Sequence, residues 1–150
     1  MPEKPVPEGY QTVTPHLTVR GVEGLLEFTR NVFGAKEKMR MPGPDGRIVH
    51  AEVEIGDSVV MMGEPMGDSQ EVMPATLYVY VSDVDAVYRR AVSAGAASLM
   101  EPADRFYGDR TASVRDSTGN QWVIATHIED VAPEELDRRM KAMMQRRAGG

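Results

Sequence analysis

His50, Glu52 and Glu54 alternate within Arg47-Ile-Val-His-Ala-Glu-Val-Glu-Ile55, which sets an imidazole and two carboxylates on one face of a strand. An imidazole beside a carboxylate supplies the parts of a general base, so His50 and Glu52 are the candidate catalytic residues. The other two histidines, His16 and His127, also fall in segments that read as strands. Three imidazoles from three strands, joined by Glu52 or Glu64, would suit a divalent metal if they converged. Spacing along separate strands does not establish convergence. The plainer reading has His16 and His50 as hydrogen-bonded residues lining a ligand pocket, and His127 in solvent at a strand end.

Aromatic residues form the second group. Tyr78 and Tyr80 share a strand face with Thr76, a wall suited to stacking on a planar organic ligand. Phe106 and Tyr107 belong to an aromatic-bearing loop, Pro102 to Asp109. His16, Thr18, His50, Glu52, Tyr78, Tyr80 and Tyr107 are therefore the candidate ligand-binding residues. Asp109 and Arg110 read either as groups that orient a polar ligand or as a local ion pair fixing the loop, and Trp122 as a residue packed under helices. Cysteine is absent, which excludes disulfides, thiolate metal sites and a cysteine nucleophile. The glycines of Met41-Pro-Gly-Pro-Asp-Gly46 do not open a helix, so no phosphate loop is expected. No Gly-x-Ser-x-Gly nucleophile signature occurs.

The elements that position these groups come in two similar copies. The first begins with a strand, Val13 to Val19, with Val13, Leu17 and Val19 facing a helix and Thr14, His16 and Thr18 facing away. A helix follows from Val22 to Phe33, stopped by Gly34. A strand from Glu37 to Met41 precedes a hairpin, Arg47 to Ile55 and Asp57 to Met62, around Gly56. The second copy repeats that order: strand Thr76 to Val81, helix Val84 to Ala94 capped by Ser82 or Asp83, a short strand Ser98 to Glu101, then the hairpin Arg110 to Asp116 and Asn120 to His127. Residues 1–9 read as an extended arm, 10–130 as one domain (modules at about 10–64 and 75–130, linker 65–74) and 131–150 as a helix and tail. The predicted class is α+β, two βαβββ modules plus a C-terminal helix.

The net charge of −6 disfavours a nucleic-acid surface, and the arginine pairs Arg89-Arg90, Arg138-Arg139 and Arg146-Arg147 read as solvated helix faces. No apolar run approaches membrane-spanning length and no signal peptide is evident, so a cytoplasmic location without membrane partners is expected. The final helix carries an apolar stripe, Leu136, Met140, Met143 and Met144, which must dock on this domain or on a partner. A homodimer is the expected assembly.

Paired βαβββ modules, the Phe-x-x-x-Val-Phe-Gly helix end at Phe28 to Gly34 and the hairpin Asp116-x-x-Gly119-Asn-Gln-Trp-Val-Ile resemble the vicinal oxygen chelate superfamily. That superfamily holds glyoxalase I, extradiol dioxygenases and fosfomycin- and bleomycin-resistance proteins. Met41 to Glu52 and Phe106-Tyr-Gly-Asp-Arg110 are similar to its PhnB-like branch. The resemblance implies cup-shaped sheets with the site inside the cups. It also implies that a metal, where one is held, is bound from the first and last strands of each module. Those positions fall here on Thr14, Val60, Thr76 and Val123, none a favoured ligand for a divalent ion.

The expected function is a glyoxalase/bleomycin-resistance-like protein that binds a small organic molecule without metal or other cofactor. Two alternatives stand beside it. One is a metal-dependent lyase or dioxygenase-type enzyme with a relocated histidine site and a divalent metal. The other is a cofactor-independent isomerase or hydrolase using His50 and Glu52.

Overall fold

A computed structural model describes residues 3–67 and 70–149. Met1 and Pro2 of the arm, Asp68 and Ser69 of the linker and Gly150 of the tail lie outside the described residues. In chain order the elements are β1 (His16–Thr18), α1 (Val22–Phe33), β2 (Lys36–Pro42), β3 (Ile48–Ile55), β4 (Ser58–Gly63), β5 (Thr76–Tyr80), α2 (Val84–Ser93), β6 (Ala97–Asp104), β7 (Asp109–Arg115), β8 (Gln121–His127) and α3 (Pro133–Gly149). Two four-stranded sheets form among the described residues, ordered β1-β4-β3-β2 and β5-β8-β7-β6. In each, the first strand pairs in parallel with the last and the remaining pairs are antiparallel. The predicted βαβββ repeat and C-terminal helix are thus present.

One face of each sheet packs on helices. α1 lies over β2 and β3, α2 over β6, β7 and β8, and the two helices touch each other. Leu17, Val53, Val60 and Met62 of the first module and Val114, Trp122 and Ile124 of the second belong to a single buried cluster. Trp122 sits at its centre, fully buried, with its ring centroid 6.0 Å from Phe28 and 5.0 Å from Phe33. Its indole N–H donates to Asp116 at 2.7 Å. Asp116 also accepts from Thr118 and Asn120, so the 116–120 turn is held by one buried carboxylate. The module boundary is therefore a shared core, which is why neither copy stands apart as its own unit.

Several sequence expectations need correction. β1 starts at His16, and Val13 is 78 % exposed instead of packing under the helix. Pro15 lies between them: its ring carries no amide hydrogen, although its carbonyl accepts from Met61. β6 runs through to Asp104, so the expected loop from Pro102 shrinks to a turn at 105–108. Gly108 permits that turn: it has φ +99°, and a Cβ there would lie 2.2 Å from the Glu129 carbonyl oxygen. Asp83 is the helix cap, accepting from Ala86 N–H.

The apolar stripe of α3 buries none of its residues. The helix is tied down through Arg139, which donates to the Phe106 carbonyl and pairs with Glu129 and Glu135. Leu136 and Met140 border a shallow groove with Phe106 and Tyr107. A chain ending at Ala132 is accordingly expected to unfold cooperatively within a few degrees of the full chain in a thermal melt. Loss of the cooperative transition would show instead that α3 is part of the core.

Candidate functional site

The sheet faces turned away from the helices carry the polar chemistry. On the first sheet, Glu52 pairs with Met61 across the β3–β4 ladder, and Met61 pairs with His16 on β1. Residues opposite one another share a face, so His16, Met61 and Glu52 lie on the open side, with His50 two residues from Glu52. Glu52 is only 5 % exposed. It accepts from the Tyr10 hydroxyl and lies 2.8 Å from His50 Nε2. The His16 and His50 rings stack with centroids 5.6 Å apart. Burial pushes the Glu52 carboxyl upward, but the hydrogen bonds from Tyr10 and His50 outweigh it and hold Glu52 below its usual range. Lys38 caps the arrangement, 4.7 Å above the Tyr10 ring and paired with Glu54.

The second sheet has its own buried carboxylate. Asp109, 4 % exposed, accepts from Tyr78 at 2.6 Å, Tyr80 at 3.0 Å and His127 Nδ1 at 2.8 Å. His127 Nε2 lies 2.6 Å from Asp130. Both ring nitrogens face carboxylates, and both bonds can be made together by the imidazolium form. The Tyr78 and Tyr80 rings are 5.3 Å apart and tilted by 55°. Burial, then the bonds to Asp109 and Tyr107, push the Tyr78 phenol upward and keep it protonated. Thr111 and Ser113 occupy the same open face, opposite Ala125 and Val123.

Thr18 lies on the open side of β1, where its carbonyl accepts from Met73 of the linker. Tyr107 sits half-exposed beside Phe106, ring centroids 5.2 Å apart. The structure thus brings His16, His50 and Glu52 together on one sheet and Tyr78 and Tyr80 on the other. His127 does not join the other histidines: it is exposed at the end of β8, as expected, and is bound there to Asp109 and Asp130. Glu64 lines a separate hollow with Arg47 and Met66. The expected Asp109–Arg110 pair is also overturned, because consecutive strand residues point to opposite faces. Arg110 turns to the helix side and pairs with Asp85 and Asp104. Tyr10 and Arg105 were missed by sequence reasoning. Tyr10 reaches Glu52 across 42 residues of chain, and Arg105 sat inside the segment read as a loop.

A cleft of about 400 Å³ runs along β5 and is lined mainly by Phe33, Ile55, Val60, Leu77, Val79 and Trp122. Tyr78 and Tyr80 border it, so the apolar room and the second sheet's polar face meet at β5.

Residues 11–124 match the model of the Glyoxalase/Bleomycin resistance protein/Dioxygenase superfamily. The chain belongs to that superfamily. It is 31 % identical over 140 residues to an uncharacterized protein of Mycobacterium tuberculosis (strain ATCC 25618 / H37Rv), covering 87 % of this chain and 82 % of that one. Among solved structures it is similar to TioX from Micromonospora sp. ML1, with TM-score 0.66, 26 % identity, and 79 % and 99 % of the two chains covered. The PhnB protein from Bacillus cereus shares the fold at TM-score 0.64 and 17 % identity, over 77 % and 99 % of the two chains.

Within the superfamily frame the four strand positions at which a metal would be held can now be placed. Thr14 precedes β1, while Thr76 and Val123 lie on the open face of the second sheet. Val60 does not: it pairs with Val53 and both point into the core. The two-residue turn at Gly56-Asp57 puts Ile55 opposite Ser58, which turns Val59 and Met61, not Val60, to the open side. Threonine, methionine and valine at these positions do not fit a divalent metal. Among the described residues no three His, Asp or Glu side chains are disposed to hold one.

The two carboxylates give the site a defined pH response. His127 is raised above its ordinary 6.5 by its bonds to Asp109 and then Asp130. Asp109 is held below 3.8: burial opposes ionisation, but the bonds from Tyr78, His127 and Tyr80 prevail. The imidazolium's contribution to stability is complete below about 6.5 and is lost as pH rises through the raised value. Asp109's contribution is present above 3.8 and is lost as pH falls through the lowered value. An NMR titration is expected to place His127 above 6.5 in the native protein and to return it toward the ordinary value in Asp109→Asn. A native His127 titrating at or below the ordinary value would remove the imidazolium from the site.

Proposed function

We propose that this protein binds a small organic molecule on its open sheet faces without using a divalent metal. The single observation that carries the reading is the pair of hydrogen-bonded carboxylate clusters on the open faces. Glu52 with Tyr10 and His50, and Asp109 with Tyr78, Tyr80 and His127, are buried carboxylates already satisfied by protein donors. Such groups fix the orientation of the surrounding rings and hydroxyls, which is what a largely preformed binding surface requires. The Tyr78–Tyr80 wall beside the apolar cleft supports a planar, partly apolar ligand. The reading includes the PhnB-like branch, a cytoplasmic location and a homodimer. Among the described residues no helix is long and apolar enough to cross a membrane.

The test is metal analysis of protein purified without chelator, read beside a thermal-shift screen of planar aromatic compounds. Far less than one zinc, nickel, manganese or iron per chain is expected, together with ligand-dependent stabilisation by mass action. A stoichiometric metal that is lost on joint His16→Ala and His50→Ala substitution would overturn the reading in favour of a metalloenzyme.

One observation favours a second reading, cofactor-independent proton transfer. The His50–Glu52 pair at 2.8 Å is oriented by Tyr10 and remains partly open to solvent. It predicts turnover that is lost in His50→Gln with ligand binding retained.

A further inference from the structure

We infer that the open face of the second sheet recognises an aromatic carboxylate, with Arg105 as the anchor for its negative end and the Tyr78–Tyr80 pair as the platform for its ring. The inference rests on the binding reading above and names the ligand class for that face.

Arg105 lies opposite Asp109 in the turn that joins β6 to β7, its N–H donating to the Asp109 carbonyl at 2.7 Å. Its guanidinium is pinned along the sheet. Nε donates to Thr111 Oγ1 at 2.8 Å, and Nη2 donates to the carbonyls of Thr111 at 3.3 Å and Glu101 at 3.4 Å. Each of these acceptors is a neutral oxygen, so the hydrogen bonds position the positive charge without cancelling it. The contrast with Arg110, the next arginine along, is direct: its guanidinium is held by the carboxylates of Asp85 and Asp104 on the opposite face. A planar, pre-oriented guanidinium with uncommitted N–H groups is the side chain best matched to a carboxylate.

The spacing fits a short rigid ligand. Tyr80, Ala125 and Thr111 form one row across β5, β8 and β7. Two strand spacings separate Tyr80 from Thr111, about 10 Å, and Arg105 is bonded to Thr111. The residue between them is alanine, over which the Tyr78 and Tyr80 rings extend to reach Asp109 on β7, so their outer faces are the surface offered to a ligand. The next row presents Val123 and the Ser113 hydroxyl. A bicyclic aromatic acid has the reach to stack on the tyrosines and place its carboxylate at Arg105.

A cationic ligand is the competing idea, since tyrosine rings and an aspartate often hold one. The geometry opposes it. Asp109 is buried and its oxygens are occupied by Tyr78, Tyr80 and His127, so no carboxylate oxygen is offered to a cation. Arg105 on the same face would repel it. The His127 imidazolium, bridging Asp109 and Asp130, offsets the Asp109 charge that an incoming carboxylate would otherwise meet.

Calorimetric titration of the full chain with 2-naphthoate and its neutral isostere 2-naphthamide tests the inference. The carboxylate is expected to bind at least about tenfold tighter, the scale of one charge-assisted hydrogen-bond pair. Arg105→Met should remove that preference and leave amide binding unchanged. Equal affinities for acid and amide in the unmodified protein would overturn the carboxylate assignment while leaving the aromatic-binding reading intact. That comparison needs no variant, so it stands even if Arg105→Met fails to fold. Preference for the amide, or for a matched naphthyl-ammonium compound, would also overturn the assignment. Absence of binding by all three would sink it together with the reading on which it rests.

Discussion

Trp122→Ala is expected to cost about 3–5 kcal/mol of unfolding free energy, as for other fully buried large-to-alanine changes. The indole joins the two modules, touching Phe28 and Phe33 of the first from a strand of the second. Its removal therefore opens a cavity at the seam of the shared core, where both halves would have to move to close it. The hydrogen bond to Asp116 is the smaller part, because Asp116 retains donors from Thr118 and Asn120. Trp122→Phe separates the two contributions: it loses the N–H but keeps most of the volume, so a loss nearer 2 kcal/mol, about one core-packing adjustment plus one hydrogen bond, is expected. Urea denaturation with both variants measures this. A cost below about 1 kcal/mol for Trp122→Ala would mean the modules are held together elsewhere.

Tyr80→Ala is expected to weaken a planar aromatic ligand by at least about tenfold, through the lost stacking surface. Tyr80 is 63 % exposed but is one of three donors to buried Asp109, so the unliganded fold should lose only about 1 kcal/mol, the scale of one hydrogen bond. The separation of a large binding effect from a small stability effect is the signature of a ligand-facing residue. Tyr78→Ala should act in the same direction and disturb Asp109 as well, since Tyr78 donates to Asp109 at 2.6 Å and is the more buried of the two. An unchanged thermal response to ligand in both variants would remove the second sheet's open face from the account.

The repeat, the helices, the fold class and the open-face positions of His16, Tyr78 and Tyr80 were determined by the sequence itself. Each rests on a local rule: a period of two in strands, a period near 3.6 in helices, and glycine stops such as Gly34 with φ 67°. Where the local pattern is interrupted, only the tertiary structure decided. Register shifts between Ser98 and Met100 and between Met100 and Ala103 break the alternation of β6, so its continuation to Asp104, and with it the placement of Arg105, was hidden. The face of Val60 depended on the pairing of Ile55 with Ser58, a matter of turn geometry in which one residue of slip inverts every side chain. The site itself needed contacts between distant segments: Tyr10 with Glu52, and Asp109 with Tyr78, Tyr80 and His127, span 18 to 42 residues. Local periodicity carries no information about such pairs. The sequence supplies the tyrosines, histidines and carboxylates, and the crossing of strands from different parts of the chain decides which of them meet.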